Sequence, residues 1–313
     1  MSGPRLWPAA LAAVAGSVMV GFMPILARHL YAAGIDAPSM LLWRYAIALP
    51  ALMIAAAATR LDTVAAWRDG AWRIVLVGMT LGAGQTICFW ESIKTLDTSV
   101  AVLLFYTYPA LTLGLDRILF KRPIRARPAL CVAIILIGAG FVTLPGLRGG
   151  ALDLRGLAWA IPAPIIYSFY LAANSVLLRR HKPLAGALSL YCGMALTFGA
   201  ACLAQGLDVP AEPDIWLVVL FVALGPGALT ITLFSYSVPL LGPSSYAIIA
   251  NMELVTVVSV GVTLLGEPVT PGRAAGGGLI VAGIVGYGLL RKPEAVPAPA
   301  PVIASAAKQS RAG

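Results

Sequence analysis

Apolar runs of about twenty residues recur along the whole chain, separated by short stretches of charged, Gly/Pro and turn residues. A helix of that length crosses the ~30 Å hydrocarbon core of a bilayer. Bounded by that punctuation, ten spans are predicted near residues 7–27, 38–58, 73–93, 98–117, 128–146, 156–178, 185–205, 214–237, 244–265 and 273–290. The N-terminal run has the Arg5-then-apolar order of a secretion signal, but it is too long for one and more spans follow at once, so it is expected to stay as the first span. After Lys292 the pattern stops. The Pro/Ala-rich stretch "PEAVPAPAPVIASAAKQSRAG" is expected to be a disordered tail.

Composition turns this pattern into a class. The chain is 59% hydrophobic and 11% charged, with a mean hydropathy of +0.88. Soluble domains carry about 25% charged residues, so this chain lacks the charge to cover a water-facing surface. An all-α integral membrane protein is expected.

The net charge of +9 lies in the loops, not in a basic helix or patch, so no nucleic-acid partner is expected. Sixteen of the 22 Lys and Arg residues, among them Arg60, Arg68, Arg73, Arg125, Arg179 and Lys182, fall on the side that holds both termini. Five (Arg28, Lys94, Arg148, Arg155 and Arg273) fall on the other, and Arg44 lies within a span. The second side also carries the acidic loop "DVPAEPD". The positive-inside rule then puts both termini in the cytoplasm of a bacterial cell, with the chain in the inner membrane. The four cysteines all lie in apolar runs without metal-ligand spacing and read as small core residues.

The chain repeats itself at an offset of 145 residues. The segment 89–123 then lies over 234–268: Phe89 meets Phe234, Ser92 meets Ser237, Ser99 meets Ser244 and Pro123 meets Pro268, while Gly138 meets Gly283 further on. Each repeat holds an odd number of spans, five, so the second must be upside down. The loops agree, with Lys121-Arg122 before one proline and Gly266-Glu267 before the other. The expected organisation is residues 1–150 as the first five-helix repeat, 151–292 as the second, inverted one, and 293–313 as the tail. Inverted repeats of this kind build transporters with a site at the midplane between the halves.

Ionisable groups at membrane depth face protein or a water-filled cavity. Arg44, in "SMLLWRYAIALP", lies about 9 Å below the end of its span at 1.5 Å per residue. It is expected either to pair with Glu91 at similar depth on the next helix or to hold carbonyls or headgroups. Glu253 sits near the bilayer centre with Asn251 two positions before it, and no opposing Lys or Arg lies at that depth in any span. A carboxyl there is a candidate to bind a substrate amine or to carry a proton. Under the same offset, Gly82 meets Gly227 and Gln85 meets Thr230, with Pro226 adding a backbone break. Paired Gly/Pro interruptions of this sort mark substrate sites, although small residues also serve tight helix packing. Trp90, Tyr106, Tyr167, Tyr170 and Asn174 lie at similar depth. The expected substrate-binding set is thus Gln85, Trp90, Tyr106, Tyr167, Thr230, Asn251 and Glu253. Arg44, Glu91, Gly82, Pro226 and Gly227 are expected to be structural or gating. No metal, cofactor or catalytic residue is expected: there are two histidines, both at span ends, and no phosphate-binding loop or nucleophile motif.

Several elements together resemble the drug/metabolite transporter superfamily in its EamA-type branch. In the first half these are "LLWRYAIAL" and "FYTYPALTLGLDRILFKRP" with Pro109; in the second, Glu253, then "LLGEP" with Glu267, then the Gly-rich run 276–286. Leu254 stands where the family often has a proline, and Arg122 where its first half often has an acid. The resemblance spans residues 7–290 and implies ten helices and transport of small metabolites such as amino acids or nucleosides. The expectation is a secondary transporter that exports amino acids or related compounds by alternating access. A small-molecule substrate and the lipid bilayer are its partners, protons are a candidate coupling ion, and monomer and homodimer are both open. The competing expectation is a lipid or polyprenyl-carrier flippase on the same fold.

Overall fold

The computed structural model describes residues 6–96, 98–121, 123–143, 153–265 and 270–290. Glu267, Arg122, Arg148 and the tail 293–313 lie outside these described residues. Every described element is helical, and ten helices are long and apolar enough to cross a membrane. They are α1 Leu6–Ala32, α2 Ala37–Ala58, α3 Thr63–Ser92, α4 Val100–Leu119, α5 Ala126–Thr143, α6 Leu154–Arg180, α7 Pro183–Gln205, α8 Pro213–Leu241, α9 Pro243–Leu264 and α10 Pro271–Leu289.

Local chemistry sets the helix ends. The Asp36 carboxylate accepts from the Ser39 N–H at 2.8 Å and starts α2, and Asp62 does the same for Ala65 at 2.8 Å in α3. Such caps satisfy N–H groups that a helix leaves open at its first turn. Asp153 caps α6 from outside the span, and its carboxyl is held below the usual carboxylate range by the Thr95 hydroxyl and then by the Arg155 N–H. Gly242 alone, with φ at 81°, turns the chain from α8 into α9, a conformation with little steric cost only for glycine.

Large apolar side chains such as Leu203, 91% exposed, Ile118 and Leu289 cover the outside, where a soluble protein would place charge. We call the two ends of the bundle the basic face, with Arg60, Arg68 and Arg125, and the acidic face, with the 208–214 loop.

Packing follows the repeat. α1 lies on α8 and α9, and correspondingly α6 lies on α3 and α4. α2 packs on α8 as α7 packs on α3, while α2 with α7, α4 with α9 and α5 with α10 each meet their own counterparts. In the α5–α10 pair, a Cβ on Gly138 would lie 2.7 Å from the Gly276 carbonyl oxygen, and one on Gly283 would lie 3.0 Å from that of Cys131. The offset of 145 carries the first of these contacts onto the second. Helix irregularities obey it too: wide, π-helical turns occupy Gly78–Gly82 in α3 and Ala223–Leu229 in α8. The helical runs also break after Phe105 in α4 and after Ala250 in α9.

The glycine contacts make a prediction. Gly138→Leu pushes a side chain into the Gly276 backbone, which cannot rotate away, and overpacking of this kind costs about 1–3 kcal/mol. Thermal unfolding of the purified protein in detergent should show a clear drop in Tm for Gly138→Leu, and none for leucine at Gly277, whose Cβ position is open.

Candidate functional site

Where the breaks of the two repeats meet, a cavity of about 210 Å³ lies in the middle of the bundle. Seven helices line it: α1 (Ser17), α2 (Arg44, Tyr45), α3 (Gln85, Thr86), α4 (Phe105, Tyr108), α6 (Tyr167, Tyr170), α7 (Tyr191, Met194) and α8 (Thr230, Phe234). An eighth, α9, adds Tyr246 and Glu253. Glu253 stands ten residues from the start of α9, about 15 Å into a ~30 Å core.

Arg44 reaches this cavity by way of the α8 break. The wide turn at Ala223–Leu229 sends the Thr230 N–H to the Gly225 and Gly227 carbonyls instead of to Pro226, its ordinary partner. The Arg44 guanidinium donates to the Pro226 carbonyl at 2.5 Å, and the Arg44 Cγ lies 3.6 Å from where a Cβ on Gly227 would sit. The closer neighbour of that Cβ position is the Val222 carbonyl oxygen, at 3.0 Å, within the wide turn itself. Tyr45 and Tyr191 flank the charge, with the Tyr45 ring centroid 5.9 Å from Arg44 Cζ. Gly82, at the equivalent place in α3, lies against Tyr170 and Met194.

Arg44 and Glu253 are the two oppositely charged side chains on the cavity wall, and they interact electrostatically. Of the two expectations for Arg44, the structure forms the carbonyl contact, at Pro226, and not the pair with Glu91. Glu91 instead bonds Lys94 one turn on, at 2.5 Å, in an exposed position near the end of α3. The interaction with Arg44 corrects the expectation that Glu253 has no cation at its depth, because the long arginine side chain brings the charge inward from a Cα nearer the acidic face.

Around these charges runs a continuous series of rings. Phe105 meets Tyr108 and Tyr167 at 5.5 and 5.4 Å, and Tyr108 meets Tyr167 edge-on at 4.9 Å. Tyr167 stacks on Tyr170, Tyr170 on Phe234, and Phe234 meets Tyr246 edge-on at 5.2 Å. Tyrosine faces attract organic cations within about 6 Å of the ring centre.

Gln85, Tyr167, Thr230 and Glu253, all expected at the site, line this cavity together. The other three lie behind it. Trp90 packs edge-on against Tyr31 at 5.6 Å. Tyr106 is 5% exposed beside Phe105 and Tyr108, and Asn251 is fully buried, its amide donating to the Ala247 carbonyl at 2.8 Å across the α9 break. Asn174 is buried as well, donating to the Tyr170 carbonyl at 2.9 Å. Tyr45, Tyr108, Tyr191 and Tyr246 were not expected there. For Tyr108 the sequence carries a signal, since the offset of 145 lays it directly over Glu253 and lays Pro109 over Leu254.

The cavity is sealed toward the basic face. There the first half of α9 packs on the second half of α4 and on α6. The Tyr108 hydroxyl donates to the Ala247 carbonyl at 3.2 Å, and Ser244 donates to the Thr112 carbonyl and to Asp116. Thr112 in turn donates to the Ser168 hydroxyl at 3.1 Å. Among the described residues, the repeat-related packing of the first half of α4 on the second half of α9 and on α1 is not formed to the same degree. Among the described residues, the basic-face end of the cavity is therefore the more tightly packed of the two.

Ten helices long and apolar enough to cross a membrane, in two five-helix repeats with a tyrosine-rich cavity holding Arg44 and Glu253, define a polytopic protein of the inverted-repeat transporter type. The family model of the EamA-like transporter family matches residues 7–144 and again 154–289, five spans each, and the chain belongs to that family. No protein of curated function matches the chain. Among solved structures, one crystal structure aligns with a TM-score of 0.77 at 16% identity, over 90% of this chain and 97% of its own, and so shares the fold.

Proposed function

We propose that this protein is a secondary transporter that exports small zwitterionic metabolites, amino acids or their relatives, across a bacterial inner membrane by alternating access, with protons as the coupling ion. One observation carries the reading: a small cavity between the repeats presents both a guanidinium, Arg44, and a carboxyl, Glu253, among tyrosine rings. A carboxylate fits the arginine fork, and an ammonium fits the Glu253 carboxyl and the ring faces. The volume of about 210 Å³ lies below the ~300–1,000 Å³ of drug-sized sites, which favours a small solute. In this reading the basic face is cytoplasmic, as the Lys/Arg distribution indicates, and the less tightly packed end faces out.

The test is flux. Purified protein in liposomes should accumulate members of an amino-acid panel when a pH gradient is imposed, and a protonophore should abolish the accumulation. A folded preparation inert toward amino acids and nucleosides, yet able to move a fluorescent lipid between leaflets, would replace this reading with a flippase. Orientation has its own test. Cysteines placed in the 208–214 loop should react with an impermeant reagent from outside intact cells, while cysteines near Arg125 or Lys182 should react only after permeabilisation. Outside labelling near Arg125 reverses the assignment.

A further inference from the structure

Among the described residues, the basic-face end of the cavity is packed more tightly than the acidic-face end, and the offset of 145 relates the two ends residue by residue. When the halves trade conformations, each contact of the basic-face seal maps onto a contact that closes the acidic face. The bond from the Tyr108 hydroxyl to the Ala247 carbonyl maps onto Glu253 and Val102. Tyrosine and carboxyl differ in one respect that matters here. A tyrosine hydroxyl donates across the working pH range, whereas an ionised carboxylate only accepts. The flank of α4 around Val102 is helical: the Val102 carbonyl already accepts the Tyr106 N–H at 3.0 Å, which leaves its second lone pair, and helical N–H groups are spent within the helix. An ionised Glu253 brought there would set acceptor against acceptor out of water. A protonated one can donate as Tyr108 does.

From this we infer that Glu253 is the closing donor of the acidic face, so that the outward-open to inward-open change takes up one proton per protein. The inference rests on the reading of Glu253 as the proton carrier and gives that proton a mechanical task. Ionisable groups facing Glu253 are Arg44 from α2, Tyr106 and Tyr108 from α4, Tyr167 from α6 and Tyr246 from the first half of α9. α1 and α8 present Ser17, Thr230 and Phe234. Arg44 is the group that could oppose the inference, because closure onto an Arg44–carboxylate pair requires an ionised Glu253 and has the opposite pH dependence. In this structure one guanidinium N–H of Arg44 is held by the Pro226 carbonyl of α8, and the pH dependence of closure decides between the two. Glutamate is shorter than tyrosine, so the acidic-face helices must approach more closely than their basic-face counterparts do.

The test reads conformation without substrate. In full-length protein whose native cysteines are replaced, spin labels at Lys94→Cys and Leu264→Cys report the separation of the α3–α4 connection from the end of α9. The wild-type background should shift toward the short separation as the buffer is acidified. Glu253→Gln, whose amide donates at every pH, should hold the short separation throughout, and Glu253→Ala the long one. Tyr108→Phe weakens the opposite seal and should enrich the short separation at every pH. A Glu253→Gln protein that keeps the wild-type pH response overturns the inference, as does closure favoured by alkaline buffer, and Glu253→Ala closing like wild type does so as well. Loss of proton-driven flux in Glu253→Gln alongside an unchanged pH response in the distances would leave Glu253 as a coupling residue and remove it from the gate.

Discussion

Glu253→Gln should bring accumulation driven by a pH gradient down to the level of empty liposomes while the protein remains folded. The side chain lines the cavity about 15 Å into the core, and glutamine keeps its shape while removing the titratable proton. Substrate binding should persist, since it needs no proton. If the carboxylate also contacts the substrate ammonium, affinity falls by about 10–100-fold, the equivalent of about 1.5–3 kcal/mol for a charge-assisted hydrogen bond. Scintillation proximity binding beside gradient-driven uptake separates the two losses. Parental uptake, affinity and pH profile in this variant would remove Glu253 from the site.

Arg44→Gln should weaken binding of carboxylate-bearing substrates by a similar about 10–100-fold and also lower Tm. The two effects come from two ends of one interaction: the guanidinium faces the cavity, and it also ties α2 to the Pro226 carbonyl in the other repeat. Arg44→Lys restores the positive charge but not the planar fork, so it should recover part of the affinity and little of the stability. A double-mutant cycle between Arg44→Gln and Glu253→Gln measures their coupling through bound substrate. Additive losses with a zwitterion would show that the two residues do not hold opposite ends of the same molecule.

Much of this architecture is legible in the residues. The ten spans follow from run length, and the offset found by sliding the sequence reappears in the Gly138–Gly276 and Cys131–Gly283 contacts and in the paired wide turns. The paired interruptions coincide with the wide turns in α3 and α8, because Pro226 has no N–H to give and glycines such as Gly82 and Gly227 hold the α-helix weakly. Side-chain direction was the weak point. In a helix apolar on nearly every side, no polar stripe says which tyrosines turn inward, so Tyr45, Tyr191 and Tyr246 carried no mark that Tyr236, left outside the cavity wall, lacks. Depth counted at the Cα also misjudged Arg44, whose stem moves its charge well away from its own level. Glu91 pairs with Lys94 in the turn just past the end of its helix, and such local pairs need no tertiary structure to form.

The α5–α10 contact has a mechanical meaning. Exchanging the two repeats carries the Gly138–Gly276 contact onto the Cys131–Gly283 contact within the same helix pair, so this seam looks alike before and after the halves swap shapes. It can stay shut through the whole cycle. In the proposed alternating-access cycle the seals at the two ends of the cavity break and reform on every turnover, while this seam can act as the fulcrum about which the two levers tilt. The energy spent per cycle is then confined to the gates, and the backbone-tight glycines keep the axle from slipping along the membrane normal.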